Sequence, residues 1–168
     1  DGRVGFLDFG LMRVVDADSA VSQIESGAQV FVQGAAATPT PLLEALCRRA
    51  TALSRVGVVH LHTEGPAPHL DPSMEGHLYH RALFIGENAR DAIHEGRAEY
   101  IPVFLSDIPR LVRRREIPVD VALINVSPPD AHGFCSLGTS VDVTLAAIEA
   151  ARVVIAQINP SMPRTHGD

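Results

Sequence analysis

The stretch that decides the fold is PVDVALINVSPPDAHGFCSLGTSVDVTLAAIEAARVVIAQINPSMPRTHGD, residues 118–168. Residues 119–126 are a continuous apolar run of strand type that ends at a Pro-Pro break, and residues 153–158 are a second run of this kind. Such runs are typical of strands that are buried on both faces of a parallel sheet. The stretch therefore predicts two buried strands that flank a polar, glycine-bearing turn and a helix.

The turn between these strands has the composition of a binding site. Ser140 and Asp142 open an apolar-periodic helix that reaches Ala151. Turn hydroxyls and bare backbone N–H groups then meet a helix N-terminus, which favours an anionic or acyl ligand. Capping of the helix by Ser140 is compatible with this role, since neighbouring hydroxyls can face a cleft.

The rest of the chain predicts strands and helices in alternation. Strands are expected at 29–32, 57–61 and 83–85, an extended segment at 99–104, and helices at 16–26, 40–54, 87–95 and 106–115. Thr40 is expected to cap its helix, with Pro41 at the first helical position. The alternation predicts an α/β fold with an open, mainly parallel sheet and helices on both faces. Ligands of such sheets gather at the carboxyl ends of the strands.

Composition limits the class of protein. A chain of 168 residues with 46% hydrophobic content can bury one sizeable core, so one domain is expected. Its net charge of −6 argues against nucleic-acid and membrane-surface partners, which normally need a basic face. All 14 basic residues are Arg, so no lysine nucleophile is present. The 2 cysteines and the absence of a membrane-length apolar segment predict a cytoplasmic protein.

Candidate binding residues come from four motifs that follow predicted strands: GAAATPTP, HTEGPAP, GFCSLGTSVD and MPRTHGD. Backbone N–H groups of the first motif suit a phosphate or carboxylate, and hydroxyls of the third suit a carboxylate or a thioester carbonyl. An arginine in the fourth motif can bind a carboxylate or phosphate through two hydrogen bonds. The candidate substrate-binding residues are Gly34, Thr38, Thr40, Glu64, Gly65, Ser136, Gly138, Ser140, Arg164 and His166.

Each motif also has a purely structural interpretation. GAAATPTP matches neither a Walker loop nor a dinucleotide-binding turn, and an ordinary strand-to-helix turn would explain it. Glu64 fits an ion-paired loop residue, and Arg164 with His166 fits an interdomain link. The residues alone leave both interpretations open.

The histidines and Cys135 are predicted to have no metal-binding or nucleophilic role. Five histidines fall within residues 60–80, but their spacings match no usual zinc signature and no cysteine joins them. No ordered arrangement of Cys, His and Asn or Asp surrounds Cys135 in the sequence. The sequence therefore predicts no metal site, and a packed thiol at Cys135.

The same motifs carry a family resemblance. The chain resembles the amino-terminal half of the acetyl-CoA hydrolase and 4-hydroxybutyrate CoA-transferase family, within family I CoA-transferases, in GFCSLGTSVD, the preceding SPPD and the following NPSMPRTHGD. Upstream, it resembles that family in the same order through SGAQVFVQGAAATPTPLLEAL, HLHTEGPAP, ALFIGENARDAIHEGRAEYIPVFLSDIPRL and VDVALINVSPPD. Several uncommon motifs in one order argue against chance similarity. The resemblance covers residues 14–168.

The resemblance implies a CoA-transferase-like, Rossmann-like three-layer domain. Members of the family move CoA between a short-chain acyl-CoA and a carboxylic acid, of the 4-hydroxybutyrate and acetate type, through a glutamyl-CoA thioester. The glutamate belongs to the second domain of the family, so a second catalytic domain is expected after residue 168 and no catalytic residue is assigned here. The resemblance further implies CoA or acyl-CoA as substrate, no permanently bound cofactor and contact with the protein's own C-terminal domain. A homo-oligomer is also expected, because apolar surface that the second domain would cover predicts self-association. The isolated segment is expected to be inactive.

Two alternatives remain at this point. One is acetyl-CoA hydrolysis, in which water takes the acyl group, and the other is a non-catalytic module that binds CoA or an acyl group. Residues 1–13 are predicted to be an extension of unclear role. Their segment GRVGFLDFGLM contains a DFG tripeptide in which Asp8 would bind Mg²⁺ in a kinase, but the kinase catalytic and glycine-rich loops are missing from the sequence.

Overall fold

The computed structural model describes residues 4–8 and 11–166, with side chains from residue 14 onward. One eight-stranded sheet runs through it in the order β2-β1-β8-β7-β3-β4-β5-β6. The strands are β1 (Val4–Asp8), β2 (Leu11–Val15), β3 (Gln29–Val32), β4 (Val56–His60), β5 (Leu78–Ala82), β6 (Ala98–Tyr100), β7 (Val121–Val126) and β8 (Val153–Ile158). The helices are α1 (Ala17–Val21), α2 (Thr40–Arg49), α3 (Arg90–His94), α4 (Ile108–Arg113) and α5 (Thr144–Ala150). Short 3₁₀ turns cover Ala50–Ala52, Pro68–Leu70, Pro72–Met74 and Glu87–Ala89.

The six strands from β8 to β6 are parallel to one another, while β1 pairs antiparallel with both β8 and β2. The predicted α/β fold with a mainly parallel sheet is therefore confirmed. From β3 the chain continues to β4, β5 and β6 on one side of the sheet, and then crosses to β7 and β8 on the other. A topological switch point consequently lies between β3 and β7.

Helices cover both faces of the sheet, which makes three layers. Side chains alternate between the two faces of a strand, so that Val30 and Val32 of β3 pack in one hydrophobic cluster with α1 and α2. Phe31 points to the opposite face and packs in a second cluster with α4 and α5. Both clusters consist of fully or almost fully buried apolar side chains, so the sheet is apolar on both sides.

Helix α1 is shorter than the sequence predicts. Asp16 caps it, since its carboxylate accepts a hydrogen bond of 2.8 Å from the Ser19 N–H. Turns follow Val21, and the segment ends at Gly27, whose φ of +81° belongs to the left-handed region that glycine adopts without strain. The predicted helix over 16–26 is therefore a five-residue helix followed by turns.

The predicted caps of α2 and α5 are wrong. Thr40 is the first residue of α2, and Pro39 before it occupies the cap position without a side-chain bond. Helix α5 begins at Thr144 rather than near Ser140. Asp142, rather than Ser140, makes the side-chain hydrogen bonds at the start of α5, because its carboxylate accepts from the Val143 N–H and from the Thr144 hydroxyl.

The predicted strand at 83–85 is also wrong. Strand β5 lies earlier, at Leu78–Ala82, and Phe84 and Ile85 are exposed. Burial alternates along β5, and His80 occupies one of its buried positions. A histidine inside a strand interrupts the apolar pattern that identifies strands in a sequence, which explains the misplaced prediction.

The structure describes part of the predicted N-terminal extension, residues 1–13. Its strand β1 pairs with β8 along the edge of the parallel sheet, while Phe9 and Gly10 of the DFG tripeptide lie outside the described residues. The domain boundary at residue 13 stays a prediction. Among the described residues, no helix has the length and apolar character that crossing a bilayer requires.

Candidate functional site

The loops that follow β3, β4, β7 and β8 meet at the carboxyl edge of the sheet. They comprise residues 33–39, 61–65, 127–142 and 159–166, and hydrogen bonds described below join them in pairs. In open α/β sheets this edge, at the switch point, is where ligands bind. Nine of the ten predicted binding residues lie in these four loops, and the tenth, Thr40, follows the first loop directly.

The loop after β3 is tied to the loop after β4. A Cβ at Gly34 would lie 2.5 Å from the carbonyl oxygen of His62, so only glycine allows this approach. The Ala35 N–H donates to the same carbonyl at 3.0 Å. Thr38 completes the junction, because its hydroxyl donates to the Ala35 carbonyl at 2.8 Å and accepts from the Glu64 N–H at 3.3 Å. Gly34, Thr38 and Glu64 are thus brought together, and the Thr38 hydroxyl holds the junction.

An acidic cavity of about 290 Å³ lies beside this junction. Its lining residues are Thr63, Glu64, Gly65, Gly86, Glu87 and Asn88. The Asn88 amide donates to the carbonyls of Thr63 and Gly65 at 3.0 and 3.2 Å, which fixes the loop. The Glu64 side chain is 68% exposed, with the His62 ring 3.9 Å away. Carboxylates of Glu64 and Glu87 in one cavity oppose binding of a phosphate there.

The loop after β7 is tied to the segment after β8 through Ser136. This hydroxyl accepts from the N–H groups of Gly138 and Thr165, both at 3.1 Å, and lies 3.0 Å from the Thr165 hydroxyl. Gly138 has φ +72°, and a Cβ there would lie 2.0 Å from the Met162 sulfur. The Ser136 side chain is therefore committed to holding two loops together, and Gly138 allows Met162 to pack closely.

Arg164 adds a second tie between the same loops. Its Nη2 donates to the Phe134 carbonyl at 2.6 Å and to the Pro128 carbonyl at 3.3 Å, and Asp130 lies 3.7 Å from Nη1. Asp130 in turn accepts from the Phe134 and His132 N–H groups at 2.9 Å. The Phe134 N–H, above all, lowers the pKa of Asp130, with smaller contributions from the His132 N–H and Arg164. His166 is exposed two residues beyond Arg164.

One residue that the sequence did not single out connects the two halves of the site. The Gln33 side chain is completely buried at the end of β3. Its carbonyl oxygen accepts from the Asn125 N–H at 2.8 Å, while its amide donates to the carbonyls of Ser140 and Leu137 at 2.9 and 3.3 Å. Gln33 thus links β3 across the switch point to β7 and to the loop that carries Ser140. A glutamine directly after an apolar strand is the signal that could have revealed it.

Residues 11–168 match the protein family described as the acetyl-CoA hydrolase/transferase N-terminal domain. The chain belongs to this family. The resemblance inferred from the motifs is therefore confirmed.

Named relatives of this acetyl-CoA hydrolase/transferase domain are CoA-transferases. It is 50% identical over 155 residues to the succinyl-CoA:acetate/propanoyl-CoA:succinate CoA transferase of Fasciola hepatica, covering 91% of this chain and 32% of the relative. It is 42% identical over 156 residues to the 4-hydroxybutyrate coenzyme A transferase of Clostridium kluyveri, covering 93% of this chain and 36% of the relative. The crystal structure of the 4-hydroxybutyrate CoA-transferase of Porphyromonas gingivalis superposes with a TM-score of 0.75 at 33% identity, covering 92% of this chain and 35% of that structure's chain. The domain spans about a third of the length of these relatives.

Three histidines of the acetyl-CoA hydrolase/transferase domain lie close together in the core. His60, His69 and His80 form a buried group whose ligand atoms all lie within 4.8 Å of one another. Burial is the main cause that lowers their pKa values, well below 6.5 for His60, to about 3 for His69 and to about 4 for His80. All three rings are therefore neutral at pH 7. This compact group was not predicted, because its members come from two strands and a turn.

The two cysteines differ in their exposure to solvent, since Cys47 is half-buried and Cys135 is exposed. Cys135 is exposed, so the predicted packed thiol is wrong. It borders an apolar cavity of about 340 Å³ between the loop after β7, helix α5 and strand β8. Burial raises the pKa of the Cys135 thiol, and it raises that of Cys47 to about 12. Neither thiol has the lowered pKa of an activated nucleophile.

Proposed function

We propose that this domain forms the substrate cleft of an enzyme that moves CoA between a short-chain acyl-CoA and a carboxylic acid. The observation that carries the proposal is the junction of four loops at the switch point of a domain of this family. The names of the relatives, a succinyl-CoA:acetate/propanoyl-CoA:succinate CoA transferase and a 4-hydroxybutyrate coenzyme A transferase, support the reaction class. Coenzyme A acts as a substrate, and no permanently bound cofactor is assigned.

The chemistry divides between this domain and the rest of the protein. A carboxylate nucleophile exchanges the acyl group for a thioester and back, which splits a difficult transfer into two easier steps. We place this glutamate outside residues 1–168. The residues described here bind and orient: backbone N–H groups of the loops after β3 and β7 face the reacting carbonyl, the Arg164 guanidinium supplies positive charge for a carboxylate or phosphate, and the His166 ring offers a further hydrogen bond.

Two hydroxyls of the predicted set take a positioning role in this proposal. Thr38 and Ser136 are 9% and 8% exposed, and both use their hydroxyl groups in hydrogen bonds between loops. Thr38 and Ser136 keep the loops at a fixed separation, and exposed neighbours such as Glu64 and Gly65 contact the substrate. Such preorganisation is what holds reacting groups in line.

The surface around α5 fits burial against the protein's own C-terminal domain or a second copy. Phe134, Val141 and Leu145 are 70%, 42% and 50% exposed, on the loop after β7 and at the start of α5. Exposed apolar side chains in one region are typical of an interface. The cytoplasmic location stays a prediction.

The test is a thioester-exchange assay with the full-length gene product, a short acyl-CoA and acetate. CoA transfer converts acetate into acetyl-CoA without net release of free CoA, whereas hydrolysis releases free CoA regardless of acetate. Glu64→Gln should change KM, because Glu64 lines the proposed substrate cavity, while leaving the melting temperature unchanged, because the side chain is exposed. An exchange activity shown by residues 1–168 alone would contradict the placement of the nucleophile.

The same assay also distinguishes a CoA-transferase from a non-catalytic module that binds CoA or an acyl group. A binding module would show no turnover with any acid, yet CoA would raise its melting temperature, because a ligand of the native state stabilises it. Sustained exchange by the full-length protein excludes this alternative.

A further inference from the structure

Three histidines from separate elements meet in the core beneath the loop that carries Glu64. His60 ends β4, His80 lies inside β5, and His69 belongs to the 3₁₀ turn Pro68–Leu70. Their exposed fractions are 0%, 1% and 2%. Imidazoles are seldom buried so completely in a group without a partner of another type, which raises the question of what holds them together.

Hydrogen bonds among the rings do not account for the arrangement. His69 Nε2 and His80 Nδ1 are 2.9 Å apart, which fits one ordinary hydrogen bond. His60 Nε2 lies 3.1 Å from both ring nitrogens of His80, so the distances favour neither of them as its single partner. The Nδ1 atoms of His60 and His69 are buried and have no hydrogen-bond partner among the described residues. The Nε2 atoms of His60 and His69 thus converge on His80, while hydrogen bonds within the group leave two buried ring nitrogens unsatisfied.

We propose that His60, His69 and His80 bind a divalent transition metal ion of the zinc type. Neutral imidazole is the common ligand of Zn²⁺, Cu²⁺ and Ni²⁺, and three imidazoles with one further position form a recurrent zinc-binding set. The ligand atoms lie close enough together to surround one ion. Among the described residues, this group is the one with metal-binding geometry.

A route for the ion and its fourth ligand is present. A cleft of about 140 Å³ reaches His69 and His80 and is bordered by Asp71, Glu75 and Arg97. The two carboxylates attract a cation to the mouth of the cleft. Water in the cleft can occupy the remaining position of a tetrahedral site.

The ion would act on the structure of the site rather than on the reaction. It would join β4 and β5 to the Pro68–Leu70 turn, in the middle of the loop between Leu61 and Leu78. That loop begins at His62, and its next two residues, Thr63 and Glu64, border the acidic cavity. The proposed metal site does not depend on the catalysed reaction, since its three histidines lie outside the proposed substrate cleft.

The test uses the full-length gene product after chelation and dialysis. Adding Co²⁺ should produce the visible d–d absorption bands of a tetrahedral site, and Zn²⁺ should abolish them by competition. Zn²⁺ should also raise the melting temperature of the chelated protein, because an ion that binds only the folded state stabilises it. Absence of d–d bands together with an unchanged melting temperature would overturn the proposal.

Variants assign any observed binding to this group. His69→Gln should weaken zinc binding by at least about 100-fold, since even changes around metal ligands cost 10- to 100-fold. His69 lies in a turn rather than in a strand, so its replacement disturbs the sheet least. His94→Gln changes an exposed histidine on α3 and should bind like the wild type. Equal affinity in the His69 and His94 variants would place the ion elsewhere and refute the site, as would zinc binding that His80→Gln leaves intact.

Discussion

Arg164 Nη2 lies 2.6 Å from the carbonyl oxygen of Phe134, across 30 residues of chain. This bond links the segment after β8 to the loop after β7. The second bond, to Pro128, and the proximity of Asp130 make the guanidinium the centre of this junction. A basic residue beyond a strand end, which the sequence presents as a candidate ligand for an anion, therefore already has a structural partner.

Replacement of Arg164 should loosen the junction. Arg164→Ala is expected to lower the free energy of unfolding by about 1–2 kcal/mol, because hydrogen bonds that involve a charged group contribute roughly this amount and the side chain is partly exposed. Arg164→Lys should recover little of the lost unfolding free energy, since the lysine ammonium lacks the planar, forked donors with which a guanidinium binds two carbonyls. Urea denaturation measures both variants. Identical midpoints for the wild type and Arg164→Ala would show that the bonds contribute nothing.

Gly138→Ala should destabilise the protein more than Gly133→Ala. Both glycines have positive φ, +72° and +85°, so each substitution introduces a backbone strain of about 1–2 kcal/mol. At Gly138 the new Cβ would also overlap the Met162 sulfur at 2.0 Å, whereas nothing lies within 4 Å at Gly133. The difference between the two variants in thermal or urea unfolding measures the packing of Met162. Equal destabilisation would contradict the close contact.

Gln33→Ala should be among the most damaging single changes in the site. It leaves the buried Asn125 N–H and the half-buried carbonyls of Ser140 and Leu137 without their partner, at a cost of about 1–3 kcal/mol for each group that stays unsatisfied. The expected loss in unfolding free energy is about 3 kcal/mol or more. Gln23→Ala is a matched control, because that amide is exposed and makes one long bond. A loss below about 1 kcal/mol for Gln33→Ala would refute the bridging role.

Periodicity and turn signals predicted the strands best where apolar runs were continuous, as at β3, β7 and β8. They failed at β5, where His80 is buried by contact with His60 and His69 rather than by its own hydrophobicity. The cap predicted at Ser140 failed because Asp142 offers a stronger acceptor closer to the helix. The histidine group depends on contacts between separate elements, which no local pattern encodes. For the Gln33 bridge, the local signal is a glutamine directly after an apolar strand, and it does not identify the bonding partners.

The two thiols should react at different rates. Burial raises the pKa of Cys47 to about 12, so almost no thiolate forms there at pH 8, while Cys135 is exposed. Iodoacetamide at pH 8 should therefore label Cys135 more than about tenfold faster than Cys47, as peptide mass spectrometry can quantify. In denaturant the two rates should converge. Equal rates in the native protein would contradict the buried environment of Cys47.

Asp130→Asn should remove a pH-dependent contribution to the stability of the loop after β7. The Phe134 N–H, followed by the His132 N–H and Arg164, lowers the pKa of Asp130 from 3.8, so the folded state binds a proton less readily than the unfolded state. The stabilisation is then fully present above the ordinary pKa and is lost as the pH falls through the lower folded-state pKa. The wild type should consequently melt at a higher temperature than Asp130→Asn at pH 7, and the gap should narrow as the pH is lowered below 3.8. A gap that stays constant down to the acid limit of folding would show that the carboxylate charge does not order this loop.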